Sequence, residues 1–120
     1  MRKRTLGIIA AAGSLIFATA TPASAEANPP GCPKGYFCAY SGWNQTGTLK
    51  LKTAGNWSGS VSGIGSIFNN GHVYPGYDHV QVSFGSWSEC YHYNPGPGDY
   101  KANFLAPYPT ITKVVWRGEC

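Results

Sequence analysis

Charge of either sign is scarce in this 120-residue chain, where Asp, Glu, Lys and Arg make up 12% of the residues. No cluster of Lys or Arg follows the first four residues, so the chain offers no basic patch suited to a nucleic-acid phosphate backbone. The five acidic residues are mostly distant in sequence and are a poor source of the carboxylate pair that a glycosidase needs. We therefore predict no nucleic-acid partner.

Catalytic motifs are also absent. The chain has no G-x-S-x-G nucleophile motif. His72, His79 and His92 match no standard zinc spacing, and we expect surface histidines. His79 follows Asp78, but neighbouring residues of a strand point to opposite faces, which weakens their pairing as a base and its orienting acid. We predict that the chain is not an enzyme and that it holds no metal and no cofactor.

The chain has a single long apolar run, and this run lies at the N-terminus. Met1–Arg4 is positively charged, Leu6–Ala20 is apolar, and Thr21–Ala25 ends in an A-x-A cleavage signature. The strongly apolar part is shorter than the roughly 20 residues that a membrane span needs. We predict a signal peptide over residues 1–25, cleaved after about Ala25, and a secreted extracellular protein that is not membrane-embedded.

Four cysteines follow the signal peptide, in a chain bound for an oxidising compartment. Four cysteines allow three pairings, of which we favour Cys32 with Cys38 and Cys90 with Cys120. A zinc site is disfavoured because the chain has no C-x-x-C motif. After cleavage, six basic and five acidic residues leave a net charge of +1.

No segment places apolar residues at helical spacing over three turns. Residues 26–31 break regular structure and are expected to form a flexible leader before a single domain over residues 32–120. Thr53–Gly59 is predicted to be a loop and Asn69–Gly71 a turn of the hairpin type. Two units of four strands predict an all-β, two-sheet Greek-key sandwich. The β-prone runs are Tyr36–Tyr40, Thr48–Lys52, Val61–Phe68, Val80–Phe84, Ser88–Tyr93, Tyr100–Leu105 and Ile111–Trp116.

Aromatic residues are frequent, whereas leucine is scarce. Trp43, Trp57 and Trp87 lie in or beside polar turns, where exposed rings can stack on sugars or anchor a protein interface. Trp43 and Trp57 are therefore candidate binding aromatics of a carbohydrate- or cell-wall-binding module. Four other aromatics are expected to fill the core: Tyr36, Phe37, Phe68 and Trp116.

Three stretches resemble one known family. Cys32–Trp43 (C-P-K-G-Y-F-C-A-Y-S-G-W) resembles the opening of the Streptomyces metalloproteinase inhibitor family, secreted peptidase inhibitors of actinobacteria with a βγ-crystallin-like fold. Gly65–Gly71 resembles the S-S-x-x-N-N-G stretch of such domains, and Ile111–Cys120 fits a closing strand with a final cysteine. The resemblance covers nearly all of the chain after residue 25.

The resemblance implies a small secreted, monomeric inhibitor whose partner is an extracellular metalloproteinase and whose substrate-like loop enters the protease cleft. In the family this loop lies within a short disulfide ring in the second half, to which only Cys90 could belong here. The corresponding candidates for protease contact are Trp87, Ser88 and Glu89. The alternative function is a carbohydrate- or cell-wall-binding module, centred on Trp43 and Trp57, without inhibitory activity.

βγ-Crystallin-like domains often bind calcium through a stretch in which a pair of Asp or Asn residues is followed by Ser or Thr residues. Val61–Ser66 and Tyr108–Lys113 are the nearest matches, and neither contains a carboxylate. Calcium needs several oxygen ligands, some of them charged, and Lys113 would repel it. We predict no calcium site.

Overall fold

The computed structural model describes residues 24–120. Residues 1–23, which hold nearly all of the predicted signal peptide, lie outside this range. No helix within residues 24–120 is long and apolar enough to cross a membrane. A short 3-10 turn covers Trp43–Gln45. The strands are β1 (Tyr36–Tyr40), β2 (Leu49–Thr53), β3 (Trp57–Val61), β4 (Ser66–Asn70), β5 (His79–Ser83), β6 (Ser88–Tyr91), β7 (Lys101–Asn103) and β8 (Ile111–Arg117).

The eight strands form two four-stranded antiparallel sheets with the orders β2-β1-β4-β7 and β3-β8-β5-β6. Each half of the chain supplies four strands, and the third strand of each half, β3 or β7, pairs in the sheet of the other half. The all-β prediction with two sheets and two disulfides is confirmed, and the strand order agrees with the two four-strand units expected from the sequence.

The register of the sheets places the connections at two opposite ends of the molecule. Tyr40 pairs with Leu49 and Ser66, and Ser66 pairs with Asn103, so these residues share one end of the first sheet. At the same end of the second sheet, Ser83 pairs with Ser88. We call this the uncharged end, because its four connections contain no Asp, Glu, Lys, Arg or His: residues 41–48, 62–65, 84–87 and 104–110. The charged end carries residues 24–35, 54–56, 71–78, 92–100 and 118–120.

The main core lies between the two sheets. Strict alternation in β5 turns Val80 and Val82 inward, and both are fully buried. Each sheet contributes to one cluster of buried side chains, and the burial of this apolar surface is the dominant favourable term in folding. The fully buried apolar members are Phe37, Ala39, Ile64, Ile67, Val80, Val82, Ile111 and Val114.

Strand β1 is buried on both faces, because residues 26–33 cover its outer side. Cys38 and Tyr40 point away from the main core and form a second buried cluster with Cys32. The Tyr40 hydroxyl donates to the carbonyl oxygen of Pro30 at 2.6 Å. The segment expected to be a flexible leader has no helix or strand, yet Glu26 exchanges two hydrogen bonds with the buried Asn94 side chain.

The structure corrects the sequence prediction between residues 53 and 71. Trp57, predicted to lie in a loop, begins strand β3, and the predicted turn residues Asn69 and Asn70 are fully buried in β4. Asn69 Nδ2 donates to the carbonyl oxygen of Asp78 at 3.1 Å, and Asn70 Nδ2 donates to that of Cys32 at 3.0 Å. These amides are tolerated in the core because hydrogen bonds replace those to water.

Two disulfides link the chain, with the pairings favoured from the sequence. Cys32–Cys38 closes a short loop and is fully buried against β1. Cys90–Cys120 joins β6 to the last residue across a sequence separation of 30 and is partly exposed. Because a longer loop loses more entropy when it is closed in the unfolded chain, the second disulfide constrains the unfolded state more strongly.

We predict that replacing both Cys90 and Cys120 with serine lowers the free energy of unfolding by about 4 kcal/mol, the value expected for a loop of this length. Urea denaturation followed by tryptophan fluorescence measures the difference. The uncharged end should keep its structure, because Cys120 lies at the charged end and Cys90 pairs with Gln81 in the middle of β5. A loss below about 1 kcal/mol would contradict the loop-entropy account.

Candidate functional site

Trp87 lies in the tight turn between β5 and β6, at the uncharged end. The Phe84 N–H donates to the Trp87 carbonyl oxygen at 2.7 Å and closes the turn. The Trp87 ring stacks on the ring of Phe84, with centroids 4.3 Å apart and planes inclined by 21°. Phe84 belongs to the main core. The turn is therefore anchored to the core by an aromatic stack as well as by its backbone bond.

Phe104 connects this turn to the rest of the uncharged end. Its ring centroid lies 5.1 Å from that of Phe84 and 6.4 Å from that of Trp87. The Phe104 N–H donates to the Gly65 carbonyl oxygen at 2.9 Å. A side chain at Gly65 would collide with the backbone of Ser41, so only glycine permits this close approach of the loops. Three connections thus meet around Phe104.

Trp43 joins the same assembly from the β1–β2 connection. Its indole Nε1 donates to the Phe104 carbonyl oxygen at 2.7 Å. The Asn44 N–H donates to Asn103 Oδ1 at 2.8 Å, and Asn103 Nδ2 donates back to Asn44 Oδ1 at 3.0 Å. Asn44 has a positive φ of 53°, a conformation that asparagine tolerates better than most residues. The Trp43 loop is therefore held in register with residues 103–104.

The uncharged end exposes large side chains, although hydrogen bonds and ring contacts connect its loops to one another. Trp43 is 48% exposed, Trp87 43%, Leu105 74% and Tyr108 51%. Apolar side chains grouped together with few charges are typical of the central part of a protein–protein interface. This end of the molecule is thus a candidate contact surface, and Trp87 directly follows the Gly85–Ser86 tip of one of its turns.

Ser88 and Glu89, the other two predicted contact residues, begin strand β6 directly after Trp87. β6 is the edge strand of its sheet, and both side chains are exposed. Ser88 Oγ accepts a hydrogen bond from Gln81 Nε2 at 2.9 Å, and Glu89 Oε1 accepts one from the Tyr91 hydroxyl at 2.9 Å. Burial and the neighbouring Glu89 carboxylate raise the pKa of Tyr91, which keeps that hydroxyl protonated as the donor.

The two candidate binding tryptophans do not meet. Trp57 begins β3 at the charged end, half buried against the main core, whereas Trp43 lies at the uncharged end. The structure instead groups Trp43 with Trp87 and with the aromatic residues of the β7–β8 connection. Sequence reasoning missed Leu105 and Tyr108, for which the only signal was an apolar run, F-L-A-P-Y-P, with prolines that exclude regular structure.

The expectation of surface histidines is wrong for His79. His79 and Asp78 are both buried, and His79 Nδ1 lies 2.7 Å from Asp78 Oδ1. The prediction treated both residues as part of a strand, but β5 begins at His79, so strand alternation does not separate the two side chains. Asp78 Oδ2 also accepts a hydrogen bond from the Tyr74 N–H at 2.9 Å, so the pair supports the loop between β4 and β5.

Fold and surface together define a small disulfide-linked β-sandwich with an uncharged end that exposes several aromatic side chains. Residues 25–78 match the model of peptidase inhibitor family I36, which confirms the resemblance to the inhibitor family over these residues. No curated protein and no solved structure matches the chain.

The family match supports a peptidase-inhibitor function and agrees with the prediction that the chain is not an enzyme. An inhibitor family and two disulfides are also what an extracellular protein is expected to show. The matched segment contains Trp43, Trp57 and the Cys32–Cys38 disulfide, and it ends before strand β5. The turn that carries Trp87 therefore lies outside the match.

We predict that Phe104→Ala loosens the β5–β6 turn, because it removes the ring that contacts both Phe84 and Trp87. Amide hydrogen exchange at Phe84, whose N–H closes the turn, should become at least about tenfold faster, which corresponds to about 1.4 kcal/mol. Overall stability should fall by about 2 kcal/mol, less than for a fully buried phenylalanine. Unchanged exchange at Phe84 would show that Phe104 does not fix the turn.

Proposed function

We propose that this protein inhibits an extracellular metalloproteinase and that the β5–β6 turn, with Trp87, Ser88 and Glu89, enters the protease cleft as a substrate-like loop. The match to a peptidase inhibitor family supports inhibition in general. The choice of a metalloproteinase as the target rests on the resemblance described from the sequence. The choice of the β5–β6 turn as the contact loop rests on the geometry of the uncharged end.

The proposal rests on the β5–β6 turn, which is exposed and is held in place without a disulfide ring. A substrate-like inhibitor needs a loop that is already ordered, because ordering a flexible loop on binding reduces affinity. Here the Phe84–Trp87 stack and the backbone bond between these residues supply that order. The only cysteine near the turn, Cys90, pairs with the distant Cys120.

The backbone after the turn also suits a protease cleft. Ser88 and Glu89 lie in the extended edge strand β6, which pairs with β5 on one side only. An edge strand leaves main-chain N–H and C=O groups available for pairing with a strand of another protein. Substrates bind to many proteases in the same extended form, so β6 can continue the contact that Trp87 begins.

The remaining loops of the uncharged end extend the contact beyond the cleft. Trp43, Leu105 and Tyr108 flank the turn and expose much of their apolar surface. These connections contain no formal charge, so their burial against a protease desolvates few charged groups, Lys50 Nζ beside Gly63 being one of them. Trp87, directly after the tip of the turn, is the expected centre of the interface, because tryptophan is frequent among residues that dominate binding energy.

We predict that the purified secreted protein slows a thermolysin-like metalloproteinase at micromolar concentration and that Trp87→Ala raises the inhibition constant about thirtyfold, or about 2 kcal/mol. Residual proteolytic activity against a fluorogenic peptide provides the measurement. Val73→Ala is the control, because Val73 is an exposed apolar residue at the opposite end and should leave inhibition unchanged. Thermal unfolding verifies that both variants are folded.

Prolonged incubation with the proteinase distinguishes a substrate-like loop from binding elsewhere. A substrate-like loop is cut slowly at one bond within residues 85–89, which mass spectrometry detects as two fragments. Inhibition that survives Trp87→Ala unchanged would overturn the proposed loop. No inhibition of any metalloproteinase at micromolar concentration would overturn the proposed function.

A further inference from the structure

A second exposed aromatic surface lies at the charged end, in the connection between β4 and β5. Tyr74 is 63% exposed and Tyr77 61% exposed, and their ring centroids lie 5.9 Å apart with planes inclined by 33°. The proposed inhibitory loop lies at the opposite end of the sheets, so inhibition gives no role to these two rings.

The loop that carries both rings is held in place from inside. The Tyr77 N–H donates to the Tyr74 carbonyl oxygen at 2.8 Å, across a turn in which Pro75 is followed by Gly76 with φ of +95°. A positive φ at the third position of such a turn requires glycine or asparagine. The buried Asp78 accepts a hydrogen bond from the Tyr74 N–H at 2.9 Å. The rings are therefore presented on an ordered loop although they face solvent.

The two tyrosines border a surface pocket of about 430 Å³, within the size range of small-ligand sites. Its lining contains no Asp, Glu, Lys or Arg, so it is suited to an uncharged ligand. Its members come from the connections 54–56 and 71–78, from β8 and from the residue that precedes β1. They are Gly35, Ala54, Gly55, Asn56, His72, Tyr74, Tyr77 and Trp116.

Polar groups with spare hydrogen-bonding capacity line the same pocket. Asn56 Oδ1 accepts a bond from the Trp116 N–H at 2.8 Å, which leaves the two Nδ2 donors of Asn56 for a ligand. The His72 ring and the hydroxyls of Tyr74 and Tyr77 make no hydrogen bond to residues within 24–120. The pocket therefore combines apolar ring faces with several unused donors and acceptors.

We propose that this pocket binds a neutral saccharide. A sugar ring has an apolar C–H face that stacks on an aromatic ring and equatorial hydroxyls that bond to amide and imidazole groups, which is the combination presented here. A proline-rich peptide is the other ligand of aromatic grooves. Proteins commonly bind such peptides through a hydrogen bond from a tryptophan indole N–H, but Trp116 Nε1 is buried and does not reach the surface.

The proposal is independent of inhibition, because the pocket and the β5–β6 turn lie at opposite ends of the sheets. One molecule could therefore hold a polysaccharide and a proteinase at the same time. This arrangement would concentrate the inhibitor on a polysaccharide surface without obstructing its contact loop, by the same effective-concentration argument that applies to linked binding modules.

The test is calorimetric titration of the purified secreted protein with three probes: a β-linked N-acetylglucosamine hexamer, a β-linked glucose hexamer and a proline decapeptide. We expect one of the two sugars to bind with a dissociation constant of about 1 mM or below. Tyr74→Ala and Tyr77→Ala should each weaken binding at least about tenfold, whereas Tyr74→Phe should weaken it less than about threefold because stacking is kept.

Two further variants distinguish loss of sugar binding through an obstructed pocket from loss through unfolding. Gly55→Val should weaken sugar binding, because Gly55 lines the pocket, and should cost little stability, because a Cβ at Gly55 meets no atom within 4 Å and its φ is not positive. Val73→Ala, in the same loop but outside the pocket lining, should bind sugar normally. No binding of either sugar at about 10 mM, binding unchanged in both tyrosine-to-alanine variants, or binding of the proline peptide alone would overturn the proposal.

Discussion

The third strand of each half pairs in the sheet of the other half, and much of the structure depends on this exchange. β3, from the first half, pairs with β8 of the second half, and β7, from the second half, pairs with β4 of the first half. Each four-stranded sheet therefore contains strands from both halves, and the main core contains side chains from both. The connections that enter or leave the exchanged strands must also cross from one sheet to the other, which decides which loops meet at each end.

The β7–β8 connection shows the functional effect of this exchange. β7 lies in the first sheet and β8 in the second, so residues 104–110 bridge the two sheets at the uncharged end. Phe104 consequently lies between Trp43, from the first sheet's hairpin, and Trp87, from the second sheet's hairpin. Aromatic packing and loop-to-loop hydrogen bonds there hold the connections in fixed positions relative to one another.

The same crossing pattern builds the opposite end. The connections 54–56 and 71–78 both pass between sheets, and they meet at the pocket bordered by Tyr74 and Tyr77. Among residues 24–120, charged groups are confined to this end and to the strands, while the connections of the other end have none. The molecule thus presents two chemically different surfaces separated by the length of the strands, which allows two different ligands to bind without competing.

Alternation in Thr48–Lys52 and Val80–Phe84, and the high β-propensity of Ile111–Trp116, allowed these strands to be predicted closely. The runs Thr48–Lys52, Val80–Phe84 and Ile111–Trp116 differ from the observed β2, β5 and β8 by one residue at their ends. Asn69, Asn70 and His79 were misplaced because their polarity suggested turns or surface positions. Their burial depends on hydrogen-bond partners such as Cys32, Asp78 and Tyr91, most of them distant in sequence, which local patterns cannot reveal.

The sequence by itself determined the all-β class, the favoured cysteine pairing and the inhibitor resemblance, because alternation, cysteine spacing and the opening motif are local properties of the chain. It also supplied Trp43 and Trp87 as candidates, without relating them to each other. The tertiary structure decided that these two tryptophans share one surface through Phe104, and that Trp57 lies elsewhere. It also placed Tyr74 and Tyr77 beside a pocket. These groupings follow from the exchange of strands between sheets, which is a long-range pairing that no local pattern encodes.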